Sequence, residues 1–513
     1  MISSIYSCCV ILYKLNIPQG FRPFVRNSST RLLLALLCFS CAVAQIEPAH
    51  RNTASRGISS STSGRSLSNR SSITKDGITW TFSRSVPVGQ FVNGDYYVVG
   101  SVTITSIAPP PTTLKPYKNG SVVNLPSSNG KSGFDSRVGS YWFDRSLRRY
   151  PPITLNPGDS LVSSISLAKP NSLPEVMSSQ TTSISPVRTM SVLTVLSAAP
   201  STDAFRPSYC DRSQTIYHAG NIQRNLLPSL APPNPGNTPP LSQFEYWYRR
   251  PWIDTNYFLF DAPARYMPSY GAHIASADSY AGLLLMLNFP AQQKVKLTNY
   301  LVQYGIDLYG CLQAGISWPA FGGHHSGRKF PIIFAGIMLN DAGMKNVSAN
   351  FPIAFGEDMQ TVYIDKIPGH YTQAWQGATV IYGGHYGVKP DGTPISPGLY
   401  GPYEQLQPVD WPLLDGKEQL GEGYRRCCTS QSWVGEALAI RLLNGVIVWS
   451  YPDFFSYVDR WMTEDDTQAV QEIKQQTGFD YSSDWQRQRQ TRFYYQGGFP
   501  QNTFIDDMWQ AYR

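Results

Sequence analysis

The sequence predicts a multidomain α and β chain: an N-terminal β-sandwich followed by an α/α toroid, an incomplete or complete barrel of helical hairpins. Three observations carry that expectation. Short β-rich runs broken by glycine and proline turns fill residues 75–208. Apolar residues at helical spacing recur from Ala277 onward. Long glycine- and tyrosine-rich loops, notably 366–424, lie between the helical stretches, which suits elaborate hairpin connections better than a compact bundle.

Taken in order, Arg31 leads into the apolar run Leu32 to Phe39 and then Ala42-Val43-Ala44, a basic flank, short apolar core and small-x-small pattern. Residues 1–44 are therefore expected to be a signal peptide with an over-extended start. The run is too short for a membrane span, so no stable membrane anchor is expected and the protein is placed outside the cell or in the periplasm. Residues 45–74 are Ser, Thr, Arg, Asn and Gly with few large apolar side chains, and read as a disordered linker. Strands are expected at Ile78 to Phe82, Gly94 to Val99, Ser101 to Thr105, Ile153 to Leu155, Ser160 to Ile165 and Ser191 to Leu196, forming an accessory sandwich. A proline-rich bridge, Pro228 to Pro240, leads into the catalytic region assigned to 209–513. There Ala277, Tyr280, Ala281, Leu284 and Leu287 mark one helix, and Leu297, Leu301, Tyr304, Ile306 and Leu308 a second. Phe330 to Leu339 marks a third, with proline in its first turn. Trp433, Ala437, Leu438, Arg441 and Leu442 outline a fourth, and Phe454, Phe455, Val458 and Trp461 a fifth.

Composition narrows the function. The chain is 42% hydrophobic and only 15% charged, with 12 Trp, 31 Tyr and 23 Phe, which suits a secreted globular protein with carbohydrate partners. The net charge of +7 resides in residues 1–74, where eight Lys/Arg face the single acid Glu47. The remainder is balanced, so nucleic-acid binding loses its compositional support. Removal of the signal peptide leaves Cys210, Cys311, Cys427 and Cys428, with three pairings open. No Cys-x-x-Cys, His-x-His or His-Glu-x-x-His spacing is present, so neither a metal nor another cofactor is expected.

The strongest pointer to a site is the run Gly322-Gly323-His324-His325-Ser326-Gly327-Arg328-Lys329 at the mouth of the third helix. Its glycines let the backbone approach a ligand, and it carries two imidazoles and two cations. With no acid near it in sequence, Arg328 is expected to face a ligand. Two further loops set phenols beside imidazoles: Gly383-Gly384-His385-Tyr386-Gly387 and Gly369-His370-Tyr371. Tyr424-Arg425-Arg426 precedes the fourth helix and adds a phenol and two guanidinium groups, which either bind an anion or pair with Glu422 and Glu436. Trp318 and Trp375 are candidate stacking platforms for sugar rings. His218 and His273, isolated in the sequence, are expected to be structural.

Met267 to Gly271, Leu301 to Asp307, the Gly322 to Lys329 loop and Tyr424 to Thr429 resemble blocks of secreted polysaccharide lyases and related proteins built on an α/α toroid. The resemblance spans roughly 215–465, and alginate- or glucuronan-type lyases are its nearest match. It implies a Tyr or His as base and acid, with Asn, Gln, His or Arg neutralising a uronate carboxylate. β-Elimination makes the same demands: a base for the C5 proton, hydrogen bonds or a cation for the carboxylate, and an acid for the leaving oxygen. In this chain His324, Arg328, His385, Tyr386 and Tyr424 are the catalytic candidates. His325, Lys329, Trp318, Tyr371, Trp375, Arg425 and Arg426 are the substrate-binding ones. Two other readings stand beside it. One is a glycoside hydrolase, whose paired carboxyls would come from Glu357, Asp358, Asp410, Asp415 or Glu422. The other is an extracellular glycan-binding protein without catalysis.

Overall fold

The computed structural model describes residues 66–170, 185–256, 262–414, 418–480 and 504–513. The signal peptide assigned to 1–44 and most of the linker assigned to 45–74 lie outside the described residues, as does Asp415. Eight strands follow one another as β1 (Ser68–Lys75), β2 (Ile78–Gln90), β3 (Tyr96–Val99), β4 (Val102–Ala108), β5 (Ser121–Val123), β6 (Ile153–Leu155), β7 (Ser160–Ser166) and β8 (Val187–Leu196). Each predicted run is a strand: β2, β4 and β6 alternate between a buried and a less buried face, whereas β7 and β8 are buried on nearly every residue. β1 is an addition, beginning inside the segment expected to be disordered. Its side chains are mostly exposed, and its backbone pairing with β2 holds it in place.

The strands form a single curled sheet of order β5-β7-β8-β3-β2-β4-β6, with β1 paired to β2. That corrects the expected sandwich of two facing sheets. The curl comes from β2, whose 13 residues pair with β4 at one end and β3 at the other. β3 and β8 run parallel, which makes the sheet mixed. Its concave core contains Ile78, Trp80, Phe82, Val88, Ile104 and Leu193, and the Trp80 indole donates to Ser163 Oγ at 3.0 Å. The opposite face is not free. Val122, Phe134, Val162, Met190 and Val192 belong to the same apolar core as the helices, so the sheet and the helical region share one interior.

The principal helices are α1 (Leu241–Tyr248), α2 (Gly271–Met286), α3 (Ala291–Gln313), α4 (Lys329–Leu339), α5 (Ser430–Leu442), α6 (Pro452–Thr463), α7 (Thr467–Thr477) and α8 (Phe504–Tyr512). All five predicted helices are among them. α2 is apolar or small on every face and almost wholly buried, as a helix packed from all sides must be. It packs chiefly against α5, while α3 packs on α4. Glycines set these distances: a side chain at Gly282 would meet the Phe330 ring, and one at Gly305 would strike Pro331 and Ala335 of α4. Pro331 sits in the first turn of α4, and Asn340 ends it in the left-handed conformation with φ of 53°. Among the described helices, α3 and α4 are neighbours both in sequence and in packing, whereas α2 takes α5 from beyond the long loop region.

One buried cation joins the two regions. Arg206, fully buried, donates Nε to Asp95 at 2.7 Å, in the turn between β2 and β3, and Nη2 to Asp307 of α3 at 2.5 Å. Its backbone N–H and carbonyl are both bound by the Gln303 amide, at 3.0 and 2.9 Å. Arg206→Ala leaves the buried Asp307 without its counter-ion and Asp95 with Lys75 alone, 3.6 Å away. We expect a loss of about 3–5 kcal/mol of stability, measured by guanidinium unfolding, and a loss under about 1 kcal/mol would show the bridge to be dispensable.

Candidate functional site

The glycine loop lies between α3 and α4, and its conformation follows from close contacts. A side chain on Gly323 would collide with the Cys428 carbonyl and approach the Tyr270 hydroxyl. Gly322, with φ of 50°, lies against the His385 ring. Position 322 thus needs both glycine's left-handed freedom and its lack of a side chain.

Imidazole and phenol rings from four distant segments converge here. Phe321 is the hub, its ring centroid 4.9 Å from His385, 5.3 Å from His324, 5.4 Å from Tyr386 and 6.1 Å from His325. His385 lies 4.1 Å from Tyr424, 4.8 Å from Tyr386 and 5.8 Å from Tyr400. Tyr270 meets His324 edge-on at 4.9 Å and His273 at 5.2 Å. His273, His324, Tyr386 and Tyr400 are half-buried and form the outer rim, while His325, His385 and Tyr424 are buried beneath. Sequence reasoning missed Tyr270, His273 and Tyr400. The spacing of Tyr270 and His273, one turn apart at the start of α2, was the available signal, and His273 belongs to the cluster rather than to the scaffold. His218 lies outside the cluster's ring contacts and pairs with Asp203 at 3.1 Å.

Protonation follows from this crowding. Burial, then the neighbouring His325, His385 and Arg328, hold His324 well below the ordinary histidine range. Burial, with His325 beside it, takes His385 down to about 3, and burial takes His273 to about 3. These rings are neutral near pH 7. The His325 Nδ1–H donates to the Pro319 carbonyl at 2.6 Å. His385 differs from the rest. It is 1% exposed, and neither ring nitrogen has a hydrogen-bond partner among the described residues. An orphaned buried imidazole bordered by three phenols departs from the rule that buried polar groups are paired.

The cations are elsewhere, and here the structure corrects the sequence. Arg328 is fully buried: Nε donates to Asp254 Oδ2 at 2.7 Å, and Nη1 to the His324 and Ser326 carbonyls at 3.0 and 2.6 Å. It braces the loop through Nε and Nη1, while its Nη2 has no hydrogen-bond partner among the described residues. Lys329 is equally buried, with Nζ on Asp358 and 2.8 Å from the Trp449 carbonyl. Arg425 pairs with Glu422 at 3.0 Å and also with Glu464, while Arg426 pairs with Glu422 at 2.6 Å and Asp466 at 2.5 Å. Glu436, proposed as a partner from sequence, is not among those ion-pair partners. Arg425–Thr429 form a single π-helical turn, a geometry common at functional sites; it runs on from Tyr424, whose ring lies over His385. Trp318 stacks on Phe355 and is buried, Trp375 packs edge-on to Trp411, and Tyr371 joins a separate small core with Val362 and Ile381. None of these three makes a ring contact with the histidine cluster, so their assignment as sugar platforms is not carried forward.

Under the loop lies a layer of buried acids around Arg328: Asp254, Asp278, Glu357 and Glu436. The Gly327 N–H donates to Glu357, and the Tyr248 hydroxyl to Asp278. Burial and then mutual repulsion push Glu436 well above its ordinary value, and burial first of all lifts Asp278 likewise. Burial, with Asp358 adding to it, lifts Glu357 to about 7. No group of three or more His, Cys, Asp or Glu able to hold a metal occurs among the described residues. No protein-family model, no curated protein and no solved structure matches this chain.

Two outcomes follow. Arg328→Ala leaves Asp254 buried and unpaired, so stability and activity should fall together, by about 3–5 kcal/mol in unfolding experiments; activity lost with stability unchanged would restore Arg328 as a ligand-facing cation. For Glu357, the folded value of about 7 exceeds the ordinary 4.5, so its contribution is complete below about 4.5 and is lost as pH rises through about 7. The neutral imidazoles act in the opposite sense, losing their contribution as pH falls below the ordinary 6.5 toward about 3. Comparison of melting temperatures for wild type and Glu357→Gln between pH 4.5 and 8 isolates the carboxyl; parallel curves would refute its raised value.

Proposed function

We propose that the chain is an exported polysaccharide lyase that cleaves a uronate-containing glycan by β-elimination, its helical region being of the α/α-toroid type. The observation that carries this reading is His385, an unpartnered imidazole enclosed by Tyr386, Tyr400 and Tyr424. A neutral imidazole has a lone pair for the C5 proton, and an arriving uronate carboxylate raises its basicity by favouring the charged form. His324, on the half-buried rim, is the group placed to meet that carboxylate. In this reading the neutralising role expected of Arg328 passes to imidazole.

The Tyr386 phenol donates its proton to the glycosidic oxygen as the C4–O bond breaks and the C4–C5 double bond forms. The imidazolium of His385 then returns its proton to the Tyr386 phenolate, whose ring centroid is 4.8 Å away. Hydrolysis is less well supported. It needs two carboxyl groups facing one bond, yet Glu357, Asp358 and Glu422 are buried, with Asp358 held by Lys329 and Glu422 by Arg425 and Arg426. Tyr386→Phe and His385→Asn should each lower turnover on a polyuronate by about 10²-fold or more, with the melting temperature of Tyr386→Phe unchanged. Turnover is read as ultraviolet absorbance of the unsaturated product. Reducing ends without that chromophore would establish hydrolysis, retention on glycan without new ends would establish binding, and near-normal Tyr386→Phe would remove Tyr386 as the acid.

A further inference from the structure

Away from the histidine cluster, two thiols occupy one small space in the core. Cys210 lies in the segment that leaves the sheet, and Cys311 lies in the last turn of α3, 101 residues later. Both are buried, and their sulfur atoms are 2.9 Å apart, nearer than a weak S–H donor needs to be. Tyr209 lies alongside, its hydroxyl donating to the Trp252 carbonyl at 3.1 Å. Three residues before this pair comes Pro207, and before it Arg206, whose ion pairs with Asp95 and Asp307 already clamp the sheet to α3. No metal-binding group of three or more ligands includes them among the described residues. Cys428 is disulfide-bonded, so a disulfide is already present in this chain.

We propose that Cys210 and Cys311 are joined by a structural disulfide in the mature protein, formed by thiol–disulfide exchange with a disulfide-bearing oxidant. One cysteine attacks the oxidant's disulfide as thiolate, forming a mixed disulfide and releasing one oxidant thiol. The second cysteine then displaces the other, so two protons and two electrons leave the pair and the oxidant becomes a dithiol. Burial and the adjacent Cys210 push the Cys311 thiol well above its ordinary value, so thiolate is scarce once the core is closed. The bond therefore forms while α3 is still docking, and afterwards no reductant reaches it. It closes a long loop, the situation in which a cross-link constrains the unfolded chain most. This inference is independent of the reading of the histidine cluster.

The test uses the full chain produced in an oxidising compartment, or refolded with oxidised glutathione, then denatured, alkylated without reductant and digested. Mass spectrometry should find the Cys210 and Cys311 peptides linked and lighter by two hydrogens than the separate thiol peptides. Both cysteines alkylated, or either linked to a different cysteine, would overturn the proposal. In parallel, Cys210→Ser/Cys311→Ser should melt roughly 5–10 °C below the oxidised wild type and should gain nothing from oxidant. If that variant does not fold, the single Cys311→Ala gives the same decision: the free-thiol count should rise by one relative to oxidised wild type as Cys210 is released, and a count that falls by one, because two free thiols have become one, refutes the bond.

Discussion

The Arg328–Asp254 pair is the constraint on which the site depends. It places a guanidinium inside the protein, at the point where the glycine loop enters α4, and commits its Nη1 to two of the loop's own carbonyls while Nε holds Asp254. A buried ion pair of this kind contributes little net stability against an apolar replacement, yet it is costly to break. Its effect is positional. The loop's backbone is fixed from below, which presents His324 and His325 to the Phe321 hub and leaves glycine at 322 and 323 to admit His385 and Tyr270.

Around that clamp the interior separates two regimes. Charges that exist are paired: Arg206 with Asp95 and Asp307, Lys329 with Asp358, and Arg425 and Arg426 with Glu422, Glu464 and Asp466. Groups without a counter-ion give up charge: His324 and His385 toward the neutral base, and Glu357, Asp278 and Glu436 toward the neutral acid. A histidine surface backed by uncharged rings and a braced cation is an environment that changes strongly when an anion enters, since each imidazole gains a reason to hold a proton.

Much of this was legible in the sequence, and the limits are physical. Strands and helices followed from apolar periodicity, and the loop from glycines around adjacent histidines. Gly383 to Gly387 announced itself in the same way, and His385 and Tyr386 do meet His324 through Phe321. Alternation along a strand reveals which face is buried but not what covers it, so one curled sheet was mistaken for two. Arg328 seemed unpaired because Asp254 lies 74 residues upstream, and Arg425 finds Glu464 far downstream. Charge pairing at that separation leaves no local trace. Tyr400 likewise reaches the cluster through a fold that its own neighbours do not foretell.

The common interior of sheet and helices has a consequence for how the chain could have been assembled. Val162, Met190 and Val192 face helices rather than a second sheet, so residues up to 208 are not a portable module that could be traded between proteins. Separating the chain there would strip both pieces of their mutual cover and expose a broad oily surface on each. The strands and the histidine-bearing helical region therefore each depend on the other for cover.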